Sequence, residues 1–161
     1  GGLGGMFFDF TGPAEWMPVY NGVNYRSYSI VQNEGYRAKF ARFNAPVKAL
    51  GPAIADAKGT ERLLYAVNHL GGSAALGEAS FSGLTPGNNL VLFAEYGGER
   101  YAGAVSPAGD VTVTVPGAVS AQLGAFINGQ WVAAEEIEVV DGAFTLPATS
   151  DYTRAAARIV Y

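Results

Sequence analysis

The sequence has no cysteine among its 161 residues and only one histidine, His69. The absence of cysteine excludes a disulfide framework, thiolate chemistry and zinc sites built on cysteine. His69 ends the apolar stretch "LLYAVNHLGG" beside two glycines, so we interpret it as a strand-end residue. A catalytic histidine would need a nucleophile placed beside it, and the sequence gives no sign of one. We therefore predict no catalytic residue, no metal ligand and no cofactor, and we do not expect an enzyme.

Charge is also scarce. Asp, Glu, Lys and Arg make up 15% of the residues, against about 25% in an average soluble domain, while 49% are apolar. Residues 1–58 carry six basic and four acidic side chains, whereas residues 59–161 carry four basic and ten acidic ones. The low charge predicts a surface partly covered by copies of the chain or by other subunits, and the uneven charge would help neighbouring copies to attract each other.

Two classes of partner are not expected. The net charge is −4 and no basic cluster is present, so the chain lacks the phosphate-neutralising groups that nucleic-acid binding requires. No apolar run reaches the roughly 18 residues of a membrane-spanning helix, so no membrane span is predicted.

The N-terminal part is rich in aromatic residues and begins "GGLGGMFFDF". The glycines are interpreted as flexible and not as a phosphate-binding loop, because no Gly-Lys-Ser/Thr follows them. We expect residues 1–58 to form an arm that packs on the rest of the chain or on a neighbouring subunit, for example by strand addition. The candidate interface residues of this arm are Leu3, Met6, Phe7, Phe8 and Phe10.

Residues 59–161 show the turn signals of antiparallel strands. Gly97-Gly98, Asn128-Gly129 and Asp141-Gly142 each separate two apolar runs, and such pairs adopt the positive φ angles of two-residue hairpin turns. The stretch "DVTVTV" alternates apolar and polar residues with the period of a strand. We predict an all-β fold, an Ig-like or jelly-roll-like antiparallel β-sandwich of about eight to nine strands, with an aromatic-rich N-terminal extension and at most one or two short helices.

Residues 30–58 allow two interpretations. A β-hairpin would pair "YRSYSIVQ" with "YRAKFARF" about the turn "NEG", whereas a helix is indicated by apolar residues three or four apart, at Tyr36, Phe40, Phe43, Val47 and Leu50. Pro46 and Pro52 oppose a single long helix. We favour strands up to about Phe43 and a short helix or irregular link over 46–58.

Other side chains offer weaker functional hypotheses. The loop-rich stretch "AEWMPVYNGVNYRSY" holds candidates for stacking on sugar rings or for an interface, namely Trp16, Tyr20, Tyr25 and Tyr28. Trp131 is predicted to lie in the sandwich core or to cover its end. Glu136 and Glu138 would share a strand face, and we interpret them as charges that protect a sheet edge and not as a glycosidase pair.

The stretches "GGMFFDF", "RFNAPVKALGPAI" and "RLLYAVNHL" are similar to the C-terminal part of a glycoside hydrolase, in which a last barrel strand and helix lead into a β-sandwich. The resemblance covers about the first 70 residues and includes no catalytic motif. It implies that Asp9 would lie at the carboxyl end of a strand.

Together these observations favour a non-enzymatic structural or interaction protein, a subunit of a homo-oligomeric assembly such as a virion capsid-accessory or tail protein or a filament. The alternatives are a carbohydrate-binding β-sandwich module, with polysaccharide as partner, or a C-terminal portion of a glycoside hydrolase. A virion or extracellular location is favoured.

Overall fold

The structure is a computed structural model that describes residues 19–20, 23–24, 34–106 and 109–161. The chain divides into two compact units, residues 1–41 and 42–161. In the first unit, strand β1 (Val19–Tyr20) pairs antiparallel with strand β2 (Val23–Asn24). In the second unit, residues 42–58 belong to the same compact body as the strands that follow them. The predicted role of residues 1–58 as an arm stays a prediction.

The prediction of strands up to about Phe43 was wrong, because the chain is helical from Glu34, whereas the short helix that was one of the two possibilities for residues 46–58 is present. Helix α1 spans Glu34–Ala49 and helix α2 spans Gly51–Ala57. The helical hydrogen bonds continue across their junction, because the Leu50 N–H donates to the Pro46 carbonyl at 3.0 Å and the Ile54 N–H donates to the Leu50 carbonyl at 2.9 Å. The helical spacing of the apolar residues therefore outweighs the cost of a proline inside α1.

Pro46 is tolerated because of what it packs against. It is among the fully buried side chains, and a Cβ atom added to Gly103 in the sheet would lie 3.0 Å from the Pro46 Cβ. Ala45, Ala49 and Ala53 are buried along the same stretch of helix. Small residues on both partners thus bring the helix close to the sheet, and the apolar burial offsets the hydrogen bond that proline cannot make.

The strands that follow the helices form a six-stranded and a four-stranded sheet, both antiparallel. Their bounds are β3 (Leu63–Asn68), β4 (Gly72–Leu76), β5 (Ala79–Leu84), β6 (Asn89–Tyr96), β7 (Glu99–Val105), β8 (Val111–Thr114), β9 (Ser120–Ile127), β10 (Gln130–Ile137), β11 (Ala143–Leu146) and β12 (Ala156–Val160). The six-stranded sheet has the order β10-β9-β12-β7-β6-β3, and the four-stranded sheet has the order β11-β8-β5-β4. The predicted all-β sandwich with at most two short helices is confirmed.

The main core lies between the two sheets. It contains Phe81, Val113 and Phe144 from the four-stranded sheet and Val91 and Ile159 from the six-stranded sheet, all of them buried. Strand β8 shows the predicted alternation, because Val111 and Val113 are buried while the threonines between them are half-buried. The opposite face of the six-stranded sheet is also buried at Leu90 and Leu92, so its central strands are covered on both sides.

Candidate interaction surfaces

Most of the residues that the sequence singled out for an interface or for sugar stacking lie outside the described residues. Tyr20 belongs to strand β1, of which only the backbone is described. The candidates outside the described part of the chain are Leu3, Met6, Phe7, Phe8, Phe10, Trp16, Tyr25 and Tyr28, and Asp9 lies there as well. Their predicted roles stay predictions.

Trp131 does not lie in the core between the sheets, so the first of its two predicted positions is wrong. It pairs with Phe126 across β10 and β9, and neither residue belongs to the core cluster between the sheets. The Trp131 ring instead packs on Phe126 and Tyr101, with centroid distances of 5.4 and 5.1 Å. Gly124 makes room for it, because an added Cβ would lie 2.9 Å from the indole. Since Tyr101 and Phe126 are buried, this cluster offers no open platform for stacking a sugar ring.

Burial also affects the chemistry of Tyr101. The loss of solvent around its phenol raises its pKa, which the nearby Arg158 partly counters. A raised pKa keeps the phenol neutral at physiological pH, which suits its packing against Phe126 and Trp131.

One end of the sandwich is closed by charged side chains. A cleft of about 220 Å³ lies between the sheets and is lined by Leu64, Phe93 and several charged residues. Glu78, in the turn between β4 and β5, accepts a hydrogen bond from the Tyr161 hydroxyl at 2.8 Å and forms an ion pair with Arg100 at 2.8 Å. Glu78 connects two strands of the four-stranded sheet, and Arg100 lies in β7 of the six-stranded sheet, so this ion pair links the two sheets. Burial raises the pKa of Tyr161, and its hydrogen bond to Glu78 acts in the same direction.

The lateral side of the sandwich formed by β10 and β11 carries acidic groups. β10 is an edge strand, its register shifts between Ala133 and Glu135, and Glu135 and Glu136 follow this bulge. Glu138 and Asp141 come directly after the strand. A bulge and charges at an edge discourage pairing with another strand. The prediction that Glu136 and Glu138 share a strand face is wrong, because β10 ends at Ile137 and Glu138 follows it, and the protective role of these carboxylates stays a prediction.

On the opposite side, the edge strands β3 and β4 contain no charged residue, and charge is confined to the cleft that Leu64 lines at one end of β3. Residues 63–94 contain a single Asp, Glu, Lys or Arg, namely Glu78. Along β3 and the turn after it, large apolar side chains are exposed, Val67 by 51% and Leu70 by 89%. His69 lies in the same turn, directly after the end of β3, and is exposed.

The charge-free surface continues onto the outer face of the four-stranded sheet. None of the strands β4, β5, β8 and β11 contains a charged residue. Their register aligns one row of hydroxyl-bearing side chains across the sheet, and this row consists of Ser73, Ser82, Thr112 and Thr145. Sequence reasoning missed this surface, although the long stretch with one charged residue was visible in the sequence.

A network of polar side chains, anchored by the buried Asn89, holds the turn that carries Leu70. The side-chain oxygen of Asn68 accepts hydrogen bonds from the Leu70 N–H at 2.8 Å and the Gly71 N–H at 2.9 Å. Asn89, which is fully buried, donates from its amide nitrogen to the carbonyls of Asn68 at 2.8 Å and Thr85 at 2.6 Å. The exposed leucine is therefore presented on a turn of fixed geometry and not on a loose loop.

Comparison with known proteins adds no relative: neither the models of protein families nor the curated proteins contain a match to this chain. In the part of the chain that the structure describes, no helix is both long and apolar enough to cross a membrane.

Proposed function

We propose that the chain is a non-enzymatic structural or interaction protein that assembles into homo-oligomers, such as a virion capsid-accessory or tail protein or a filament subunit. The observation that carries the proposal is the continuous surface with almost no charge, formed by β3, the turn after it and the four-stranded sheet. Surfaces depleted of charge at their centre are typical of protein–protein contacts, whereas solvent-facing sheets of monomers usually carry charge.

The charge distribution supports the same proposal. Residues 1–58 have an excess of basic side chains and residues 59–161 have an excess of acidic ones. Opposite charges on the two parts would steer neighbouring copies towards each other and set their relative orientation. The charge-free surface would then supply the close contact.

The N-terminal arm is the second element of the proposal. The first ten residues contain a single charged residue, Asp9, among the apolar residues Leu3, Met6, Phe7, Phe8 and Phe10. A segment of this composition gains free energy when it leaves water, and a neighbouring subunit offers one place to do so.

The test measures the mass of the full chain in solution by analytical ultracentrifugation over a wide range of concentrations, together with a variant that lacks residues 1–12. Self-association of the full chain is expected, and light scattering should show smaller particles for the shortened chain. A full chain that stays monomeric at every concentration would refute the proposal. If an oligosaccharide also quenched the tryptophan fluorescence of that monomer, the carbohydrate-binding alternative would replace it.

A further inference from the structure

We propose that a cleft beside β11, on the acidic side of the sandwich, binds helix α1 of a second copy, and that Lys48 is the side chain that enters it. The contact is heterologous, because each copy offers its helix to one neighbour and its cleft to another. This inference rests on the proposed self-association and names the two surfaces that carry it.

The cleft combines apolar walls with a carboxylate. Its volume is about 360 Å³, and its lining includes Ile137, Glu138, Val140 and Phe144. Phe144 is buried and Val140 is 58% exposed, so apolar surface extends from the core to the rim. Val140 and Ala143 each donate a backbone N–H to the other's carbonyl at 2.9 Å, and these bonds fix the turn that follows Glu138. None of the described residues that line the cleft is basic.

The charges of the chain are separated in a way that matches this cleft to α1. Residues 111–150, which include the whole lining of the cleft, contain four acidic residues and no Lys, Arg or His. Residues 35–55, which include most of α1, contain four basic residues and no acidic one. Opposite charges on two surfaces steer the partners of a complex and orient them. The acidic block of one copy therefore has its complement on the helix of another.

Lys48 is the member of the basic block that suits the cleft best. The other three members all have an interaction elsewhere in the chain, and they are Arg37, Lys39 and Arg42. Lys48 is exposed in the last turn of α1, and its ammonium lies 3.9 Å from the centre of the Tyr152 ring. Among the residues that the structure describes, no ion pair involves Lys48 or Glu138. The apolar stem of a lysine can pack on Val140 while its ammonium bonds the Glu138 carboxylate.

The helix and the cleft are separate surfaces of the same compact unit. α1 packs through Pro46 close to Gly103, on the face of the six-stranded sheet that lies away from the main core. The cleft borders β11, the edge strand of the other sheet. Each added copy therefore leaves one helix and one cleft open, and contacts of this kind build rings or filaments.

The contact is expected to be weak and sensitive to salt. An exposed lysine–glutamate pair contributes only about 0.2–1 kcal/mol. Salt screens exposed charges, so association through this contact should strengthen at low ionic strength. A contact made by the uncharged surface alone would lack that dependence.

The experiment measures self-association of the full chain by sedimentation equilibrium at low ionic strength. Lys48→Glu and Glu138→Lys should each raise the dissociation constant about tenfold, because attraction becomes repulsion. The double variant restores an opposite pair and keeps the net charge of −4, so it should recover most of the wild-type association. Lys58→Glu and Glu99→Lys are the matched controls, because they make the same charge changes at other exposed positions and should alter association little.

The outcomes distinguish this inference from the proposed function. A wild-type chain that stays monomeric refutes self-association itself. If the wild type associates and the two single variants associate equally well, the assembly function stands and this contact is wrong. A double variant as weak as the single variants would also overturn the inference, because the two residues would then not meet.

Glu138→Gln separates docking from protection of the sheet edge. Docking requires the carboxylate, so this variant should associate more weakly than the wild type. A carboxylate that only protects an edge would give the opposite result, because its removal would promote association. Stronger association of Glu138→Gln would therefore overturn the inference.

Discussion

Replacing Asn89 with alanine removes the donor that holds the end of β3 to the loop after β5. The Asn89 side chain is fully buried, and its amide nitrogen bonds the carbonyls of Asn68 at 2.8 Å and Thr85 at 2.6 Å. The alanine variant leaves both half-buried carbonyls without this donor, and a carbonyl that loses its partner out of reach of water costs about 1–3 kcal/mol. The side-chain oxygen of Asn89 bonds to no described residue, so its removal returns part of that cost.

The expected loss is about 2–4 kcal/mol of unfolding free energy, which is a large fraction of the stability of a domain of this size. Denaturant titration followed by circular dichroism measures it. Asn88→Ala is the matched control, because Asn88 is the preceding residue, has the same side chain and is exposed. The control should lie within about 0.5 kcal/mol of the wild type.

Equal stability of the two variants would refute the reasoning, because burial and geometry are what distinguish the two asparagines. Asn89→Ala could also lower the unfolding free energy and change its dependence on denaturant concentration. Such a change in slope would mean that the variant alters the compactness of the folded or the unfolded state, and the free energies of the two variants would then not be comparable. A loss at constant slope confirms the network.

Two further substitutions test the face of the six-stranded sheet opposite the main core. Gly103→Ala adds a Cβ 3.0 Å from the buried Pro46, so the free energy of unfolding should fall by about 1 kcal/mol. Gly109→Ala is the control, because its added Cβ meets open space and should change the free energy of unfolding little. Equal free energies for the two variants would contradict the close helix–sheet contact. Tyr101 has a raised pKa, so its stabilising effect is complete below the pKa of an unfolded tyrosine, about 10, and is lost as pH rises above it. Tyr101→Phe should lose stability less steeply in alkaline solution, and an identical pH profile would exclude Tyr101 as the source.

The hairpins could be predicted from sequence because their signal is local. Asn128 and Gly129 have φ angles of 51° and 79°, and Asp141 and Gly142 have 52° and 77°. Few residues adopt two consecutive positive φ angles without strain, so such pairs mark tight turns wherever they separate apolar runs. Neither turn depends on the rest of the fold.

The order of the strands could not be predicted in the same way. β12 lies between β9 and β7, far from both in sequence, and nothing in its own residues specifies those neighbours. One signal was nevertheless present for the helix layer. Leu90 to Ala94 form an unbroken apolar run, and a strand of this kind is buried on both faces. That run required a cover for the second face of the sheet, which favours the helical interpretation of residues 46–57.

The two lateral sides of the sandwich differ in a way that composition alone does not explain. Any two-sheet sandwich leaves edge strands on both sides, and each exposed edge risks pairing with another chain. The β10 side carries a bulge, Glu135 and Glu136, so the chain has protective devices at one edge. Strand β3 itself has neither a charge nor a bulge, and Val67 and Leu70 are exposed along it and in the turn after it. The chain therefore carries charges and a bulge on one edge strand and an uncharged, regular ladder on the other.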